Sequence, residues 1–177
     1  MNDMGGELTK YRVSKLANCS IGWTMEYLKQ LEEKELIIKT KVIDPEGLLD
    51  HWFSILQKPI RYDFFVDSPT EFLLKTDMDY VLTTYKAENL LNHYLFPSRT
   101  DIYIKKEDFP RWKEKISEEG LVGKGNFRLL LYDGHVFYNK QNIDRMWVAS
   151  IPQVLIDLRR EGGVCKEAYE IMVNKYV

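Results

Sequence analysis

Apolar positions recur at helical spacing in the N-terminal part of the chain and at strand spacing after it, so the sequence divides by a change of period. Val13, Leu16 and Ala17 make one short apolar face, and Thr24, Tyr27, Leu28 and Leu31 make a second at i, i+3, i+4, i+7. This predicts two helices between Thr9 and Ile38. Asn18-Cys19-Ser20 separates them: Asn tolerates a left-handed turn, and Ser20 caps the second helix by accepting from its free N–H groups. Leu36 to Val42 is β-branched and alternates late, as a short strand does. Asp44-Pro45-Glu46 then reads as an N-cap with Pro at the first helical position. It opens a connecting helix through Leu48, Leu49, Trp52, Phe53 and Leu56 that ends before Pro59.

From Ile60 strands and helices alternate. Strands are predicted at Ile60 to Val66, Tyr80 to Thr83 and Thr100 to Lys105. They lead into helices opened by the capping box Ser68-Pro69-Thr70-Glu71, running over Leu90, Leu91 and Tyr94, and carrying Phe109, Trp112 and Ile116. Phe127 to Tyr132 and His135 to Tyr138 flank Asp133-Gly134, a hairpin signal of the type I′ kind. Met146 to Ala149 is a last strand. Ser150-Ile151-Pro152-Gln153 is a further capping box, opening a helix that stops at Gly162-Gly163, and a final helix runs from Val164 toward Tyr176. Three strand-helix units ahead of a hairpin predict a mixed α/β sheet.

Composition narrows the class. A chain of 177 residues with 45% apolar and 29% charged side chains is globular and soluble rather than disordered, collagen-like or a disulfide scaffold. It is long enough for one domain or two small ones. Net charge is -2, so any DNA binding has to come from a local patch. Cys19 and Cys165 stand far apart without a metal-ligand spacing, which fits a reducing compartment, with cytoplasm the default. No basic and apolar leader opens the chain and no apolar stretch is long enough to span a bilayer, so membrane and secretion readings are set aside.

Val13 to Leu28 lines up without a gap with the general helix-turn-helix pattern. Leu31-Glu32-Glu33-Lys34-Glu35-Leu36-Ile37 resembles the ending common to winged-helix regulators, with Glu35 where glycine is usual. A fixed short turn holds the second helix proud, so that its first residues reach base edges in the major groove. The expected DNA-binding residues are Ser20, Ile21, Gly22, Trp23, Met25, Glu26 and Lys29, with Lys39 and Lys41 directed toward phosphates from the strand pair after Leu36. This reader is unusually apolar, and residues 1–42 hold seven Lys and Arg against six Asp and Glu. The alternative is a protein-interaction module that uses the same fold for partner docking or dimerisation without DNA. Winged-helix domains normally place a helix before the pair, and here it is short or missing. Either the chain starts inside a longer reading frame, or another element, such as the helix around Trp52, covers Leu16 and Leu28.

No enzyme emerges from the second part, and no cofactor or metal is called for. Asp77-Met78-Asp79 has the Asp-x-Asp form of Mg²⁺-binding nucleotidyltransferases, but it precedes a strand and lacks the companion Gly-Ser segment, so it reads as a solvated turn. Asp101, Tyr103 and Lys105 share a strand face without a nuclease spacing. His51, His93 and His135 are scattered, and Gly123 to Asn126 is a turn rather than a phosphate loop. Neither cysteine reads as a nucleophile. The 13% aromatic content is mostly core.

The layout resembles the transcriptional-regulator antitoxins of abortive-infection type IV toxin-antitoxin systems, the AbiEi-like family. The likeness covers nearly the whole chain. Besides the winged-helix start it rests on Tyr80 to Leu91, similar to that family's strand-to-helix passage, and on Arg99 to Ile104 as the strand that follows. Val148 to Leu158 resembles its "VVSPVQLYLDL" helix start, matching at Ser150, Pro152, Gln153, Asp157 and Leu158 and departing at Ala149 and Ile151. The resemblance implies a DNA-binding domain that represses its own operon and a C-terminal α/β antitoxin domain that counteracts a nucleotidyltransferase-type toxin without a stable complex. The organisation expected is a winged helix-turn-helix over 1–43, a connecting helix over 44–58 and a mixed-sheet α/β domain over 59–177. Double-stranded DNA of its own operator and a second copy in a homodimer are the expected partners. Asp157 is assigned to a cap or a helix-end partner rather than to chemistry.

Overall fold

The protein, seen in a computed structural model that describes residues 4–123, 125–132 and 134–177, is an α+β fold with a mixed sheet. It divides into two compact units, Met1–Leu56 with Val177, and Gln57–Tyr176.

In the first unit α1 (Lys10–Leu16) is capped by Thr9, whose hydroxyl accepts from the Arg12 N–H at 3.2 Å. Asn18 then takes the left-handed conformation, φ 50°, that reverses the chain, as its short polar side chain allows. Ser20 caps α2 (Ile21–Glu33), its hydroxyl accepting from the Trp23 N–H at 3.2 Å. The segment read as one strand is a minimal antiparallel hairpin, β1 (Ile37–Ile38) and β2 (Lys41–Val42), closed by Lys39 at φ 59° and Thr40. Asp44 caps α3 (Pro45–Ile55) by accepting from the Gly47 N–H at 2.8 Å.

Leu28, Leu31, Leu36 and Ile37 form the core of this unit, and Tyr27, Val42 and Leu48 pack against it. A helix-pair face therefore finds its cover in the hairpin and in α3, while Leu16 stays half-buried. Among the described residues no helix precedes α1. The leading segment instead lies along the hairpin: the Met4 and Gly6 carbonyls accept from the Val42 N–H at 3.3 Å and the Thr40 hydroxyl at 3.2 Å.

The second unit is a seven-stranded sheet in the order β6-β3-β7-β5-β4-β9-β8. Its strands are β3 (Ile60–Val66), β4 (Val81–Thr83), β5 (Thr100–Lys105), β6 (Gly120–Val122), β7 (Phe127–Tyr132), β8 (Gln141–Ile143) and β9 (Met146–Val148). Pairs β5/β7 and β4/β9 are parallel and the others antiparallel, which makes the sheet mixed. Helices α4 (Pro69–Lys75) and α6 (Phe109–Glu119) lay Phe72 and Trp112 on one face, where the Phe72 ring meets Phe127 edge-on at 5.6 Å. On the other face lie α5 (Thr84–Asn92), α7 (Ile151–Glu161) and α8 (Val164–Tyr176). Every residue of α7 from Pro152 to Leu158 is buried, as a helix enclosed on all sides must be.

Three local expectations are corrected. His135 to Tyr138 is not a strand: Gly134–Phe137 is a 3-10 helix, and Asp133, like Lys124 of the Gly123 to Asn126 turn, lies outside the described residues. The two-residue hairpin turn lies further on, joining Ile143 to Met146 through Asp144 and Arg145, both with positive φ as a type I′ turn requires. Ser68 and Ser150 do occupy N-cap positions, but neither makes a side-chain cap bond, and Gln153 turns inward to Asp157 instead. Helix α5 ends at His93, which caps it at φ 59°, so Tyr94 lies beyond it.

Candidate functional site

The outward face of α2 and the adjoining hairpin carry the residues expected to touch DNA. Thr24, Leu28 and Leu31 turn into the core, and the 100° step of the helix puts Gly22, Glu26 and Lys29 on the opposite side; Ile21, Trp23 and Met25 flank them, and all six are exposed. Ser20, Lys39 and Lys41 are exposed as well. Trp23, Met25 and Ile21 are 56%, 52% and 42% accessible, and Ile38 of the hairpin 59%.

This face is braced from behind. The Trp23 indole stacks on the Tyr27 ring at 5.1 Å with 11° between planes. The Tyr27 hydroxyl lies 3.3 Å from His51 Nε2, and Lys34 Nζ lies 3.2 Å from His51 Nδ1. Burial, and then the charge of Lys34, lower the His51 pKa, so the imidazole bridging α2 and α3 is neutral at pH 7. Glu32 fastens the hairpin: it accepts from the Lys39 N–H at 2.6 Å and pairs with Lys10 at 3.6 Å. Lys29 pairs with Glu33 at 3.7 Å in the open, an interaction worth at most about 0.5 kcal/mol and readily exchanged for a phosphate. The bracing role of Tyr27 was accessible in principle from its i, i+4 spacing to Trp23. That of Glu32 was not, because its partners come from α1 and the hairpin.

The second unit holds a different constellation, a buried polar network. Asp63, Arg128, Asp101 and Thr83 stand in register across β3, β7, β5 and β4. Arg128 pairs with Asp63 at 2.6 Å and with Glu161 of α7 at 3.6 Å. Arg99 pairs with Glu161 at 2.8 Å and grips Asp101 through Nε and NH2 at 2.6 and 2.8 Å. The Thr84 hydroxyl, on a residue held at φ 48°, also donates to Asp101. Asp157 accepts from Thr83, Tyr103, Gln153 and Arg160 at 2.7, 2.9, 3.0 and 3.1 Å. Burial raises its carboxyl above the usual range against the pull of those donors. The cap partner expected for Asp157 is thus Thr83, the N-cap residue of α5, joined by three donors from elsewhere.

Asp101 and Asp157 in this network each accept several hydrogen bonds from protein groups, as in a buried network that specifies a fold. Asp77 and Asp79 have separate partners, Arg111 at 3.2 Å and Lys105 at 3.1 Å. Among the described residues no three His, Cys, Asp or Glu side chains converge as metal ligands. Cys19 donates to the Ala17 carbonyl at 3.2 Å in the helix-pair turn, and Cys165 is buried on α8. No described helix is long and apolar enough to cross a membrane. No family model matches the chain, and neither a curated protein nor a solved structure does.

Proposed function

We propose that the chain is a DNA-binding transcriptional regulator of the cytoplasm, with residues 1–43 acting as a winged helix-turn-helix on its own operator, and that it works as the autorepressing antitoxin of a type IV toxin-antitoxin pair. The observation that supports the DNA reading is that Ser20, Ile21, Gly22, Trp23, Met25, Glu26 and Lys29, at the start of a helix whose Thr24, Leu28 and Leu31 are buried, and Lys39 and Lys41 of the hairpin are all exposed. The hairpin beside it is the wing. The antitoxin part rests on the resemblance to AbiEi-like regulators, and the filled polar network of the second unit suits a non-catalytic role.

The test is a titration of the full chain against its own upstream DNA at two salt concentrations with unrelated competitor. Tight, salt-sensitive and competitor-resistant binding is expected. Absence of binding would overturn the regulator reading. Co-expression with the neighbouring gene is the test of the antitoxin role: rescue of growth is expected, and persistent toxicity would remove it.

A second reading is favoured by charge. Residues 43–56 carry Asp44, Glu46 and Asp50 and no Lys or Arg, so the first unit as a whole is net acidic. A protein partner, or a second copy of the chain, docking on Trp23, Met25 and Ile38 would suit that balance. Partner capture that survives high salt and is lost in Trp23→Ala, with no DNA bound, would establish it.

A further inference from the structure

His51 of α3 stands between two side chains of α2, and their chemistry fixes where its proton sits. Lys34 Nζ lies 3.2 Å from Nδ1, and the Tyr27 hydroxyl lies 3.3 Å from Nε2. An ammonium group donates hydrogen bonds and accepts none, so Nδ1 is the bare, accepting nitrogen. The hydrogen of the neutral ring is then on Nε2 and donates to the Tyr27 oxygen. Burial raises the Tyr27 pKa, so its hydroxyl keeps its own proton wherever a histidine titrates.

A second proton on the ring has Nδ1 to go to, and Nδ1 faces a cation. There it would point across 3.2 Å at the Lys34 ammonium, and an acceptor would become a like charge. Around the ring α2 contributes Lys34 and Tyr27, while the acidic residues at the start of α3 and within it are Asp44, Glu46 and Asp50. Lys34 is the one whose charge moves the ring's pKa, downward, after burial. It is also exposed, so it is the group that gives way, into water. Lys34 is the C-cap residue of α2, and His51 lies one turn beyond Leu48, which packs on the Leu28, Leu31 and Leu36 core. The contact therefore ties the end of α2 to α3 at the rim of their apolar contact.

We propose that Tyr27, His51 and Lys34 form an acid-released latch: the neutral ring holds Lys34 and the end of α2 on α3, and one proton on Nδ1 frees Lys34 while the Nε2 hydrogen bond to Tyr27 stays. The contribution of the neutral ring is complete above pH ~6.5, where an unfolded histidine is neutral as well. It is lost as pH falls below that value through the lower one of the folded chain. Tyr27 also carries the Trp23 indole at 5.1 Å, so the latch stands directly behind the exposed face of α2. It does not depend on which partner that face meets.

Long-range proton–nitrogen NMR correlations of the full-length protein read the ring directly. The chain has three histidines, and His51→Gln identifies the signals of His51. At pH ~8 the hydrogen should be on Nε2, and the titration midpoint should lie below that of an ordinary histidine. Lys34→Met keeps most of the side-chain length without the charge, and it should bring the midpoint up toward the ordinary value. Amide exchange, corrected for its intrinsic pH dependence, should show α3 losing protection between pH ~7.5 and ~5 in the parent and keeping it in His51→Gln, whose side chain stays neutral. A hydrogen on Nδ1 at high pH, a midpoint that Lys34→Met leaves in place, or an equal loss of α3 protection in parent and His51→Gln would each overturn the latch.

Discussion

The hydroxyl of Thr83, the last residue of β4, donates to Oδ2 of Asp157 on α7 across 2.7 Å, fixing a helix to the sheet through two side chains 74 positions apart.

Asp157→Ala strips that acceptor from Thr83, Tyr103, Gln153 and Arg160 at once. Buried donors left without partners should lower stability by about 3 kcal/mol, a fall in Tm of roughly 6–12 °C for a chain of this size. Thermal melting followed by circular dichroism measures it, and a fall under about 2 °C would show that the network is not what holds α7.

Tyr85 lies over the Arg99 guanidinium at 5.1 Å, and burial, followed by its hydrogen bond with Cys165, pushes its hydroxyl up to about 12. An unfolded tyrosine ionises near pH ~10. The folded chain therefore keeps a proton that the unfolded chain releases. Its contribution to stability is complete below pH ~10 and is lost as pH rises toward 12. Tyr85→Phe should flatten that alkaline decline in urea unfolding midpoints; an identical decline in parent and variant would assign it to other groups.

Glu35 stands at φ 58°, where its position after α2 would favour glycine. Glu35→Gly relieves the left-handed strain and gives back part of the gain as chain entropy. A net stabilisation of about 0.5–1 kcal/mol is expected, read as a Tm roughly 2 °C higher. A lower Tm would mean that the Glu35 side chain contributes more than its backbone costs.

Lys29→Ala and Lys41→Ala should each reduce the slope of log K against log salt for DNA by about one unit while leaving melting unchanged. Both side chains are exposed, and the Lys29 partner, Glu33, is exposed too. An unchanged slope would take that lysine off the phosphates.

Legibility in the sequence followed the length of the local signal. Ile60–Val66, Thr100–Lys105 and Phe127–Tyr132 coincide with the strands read from the sequence, because each is a run of six or seven residues rich in β-branched, aromatic or other apolar side chains. Gln141–Ile143 was missed: three residues, two of them amides, carry no hydrophobic period. Its turn was missed because Asp144 and Arg145 supply the positive φ values normally expected of Asn-Gly, while the Asp-Gly pair upstream drew the assignment. The outward face of α2 was legible residue by residue, since one helix fixes it. The network around Asp101 and Asp157 was not, since Asp63, Arg128 and Glu161 meet only when the sheet has closed.

That closure makes the row through Arg128 a proofreader of strand pairing. A slip of β7 by one residue would bring Leu129 opposite Asp63 and Asp101 and carry the Arg128 guanidinium through to the aromatic side of the sheet, beside Phe72. Two carboxylates, Asp63 and Glu161, would then lose a shared cation and a cation would enter an apolar layer, each at a cost of several kcal/mol. Hydrophobic packing on β7, whose Leu129, Leu130 and Leu131 are nearly interchangeable, hardly distinguishes the two alignments. A single charge makes the correct one unique.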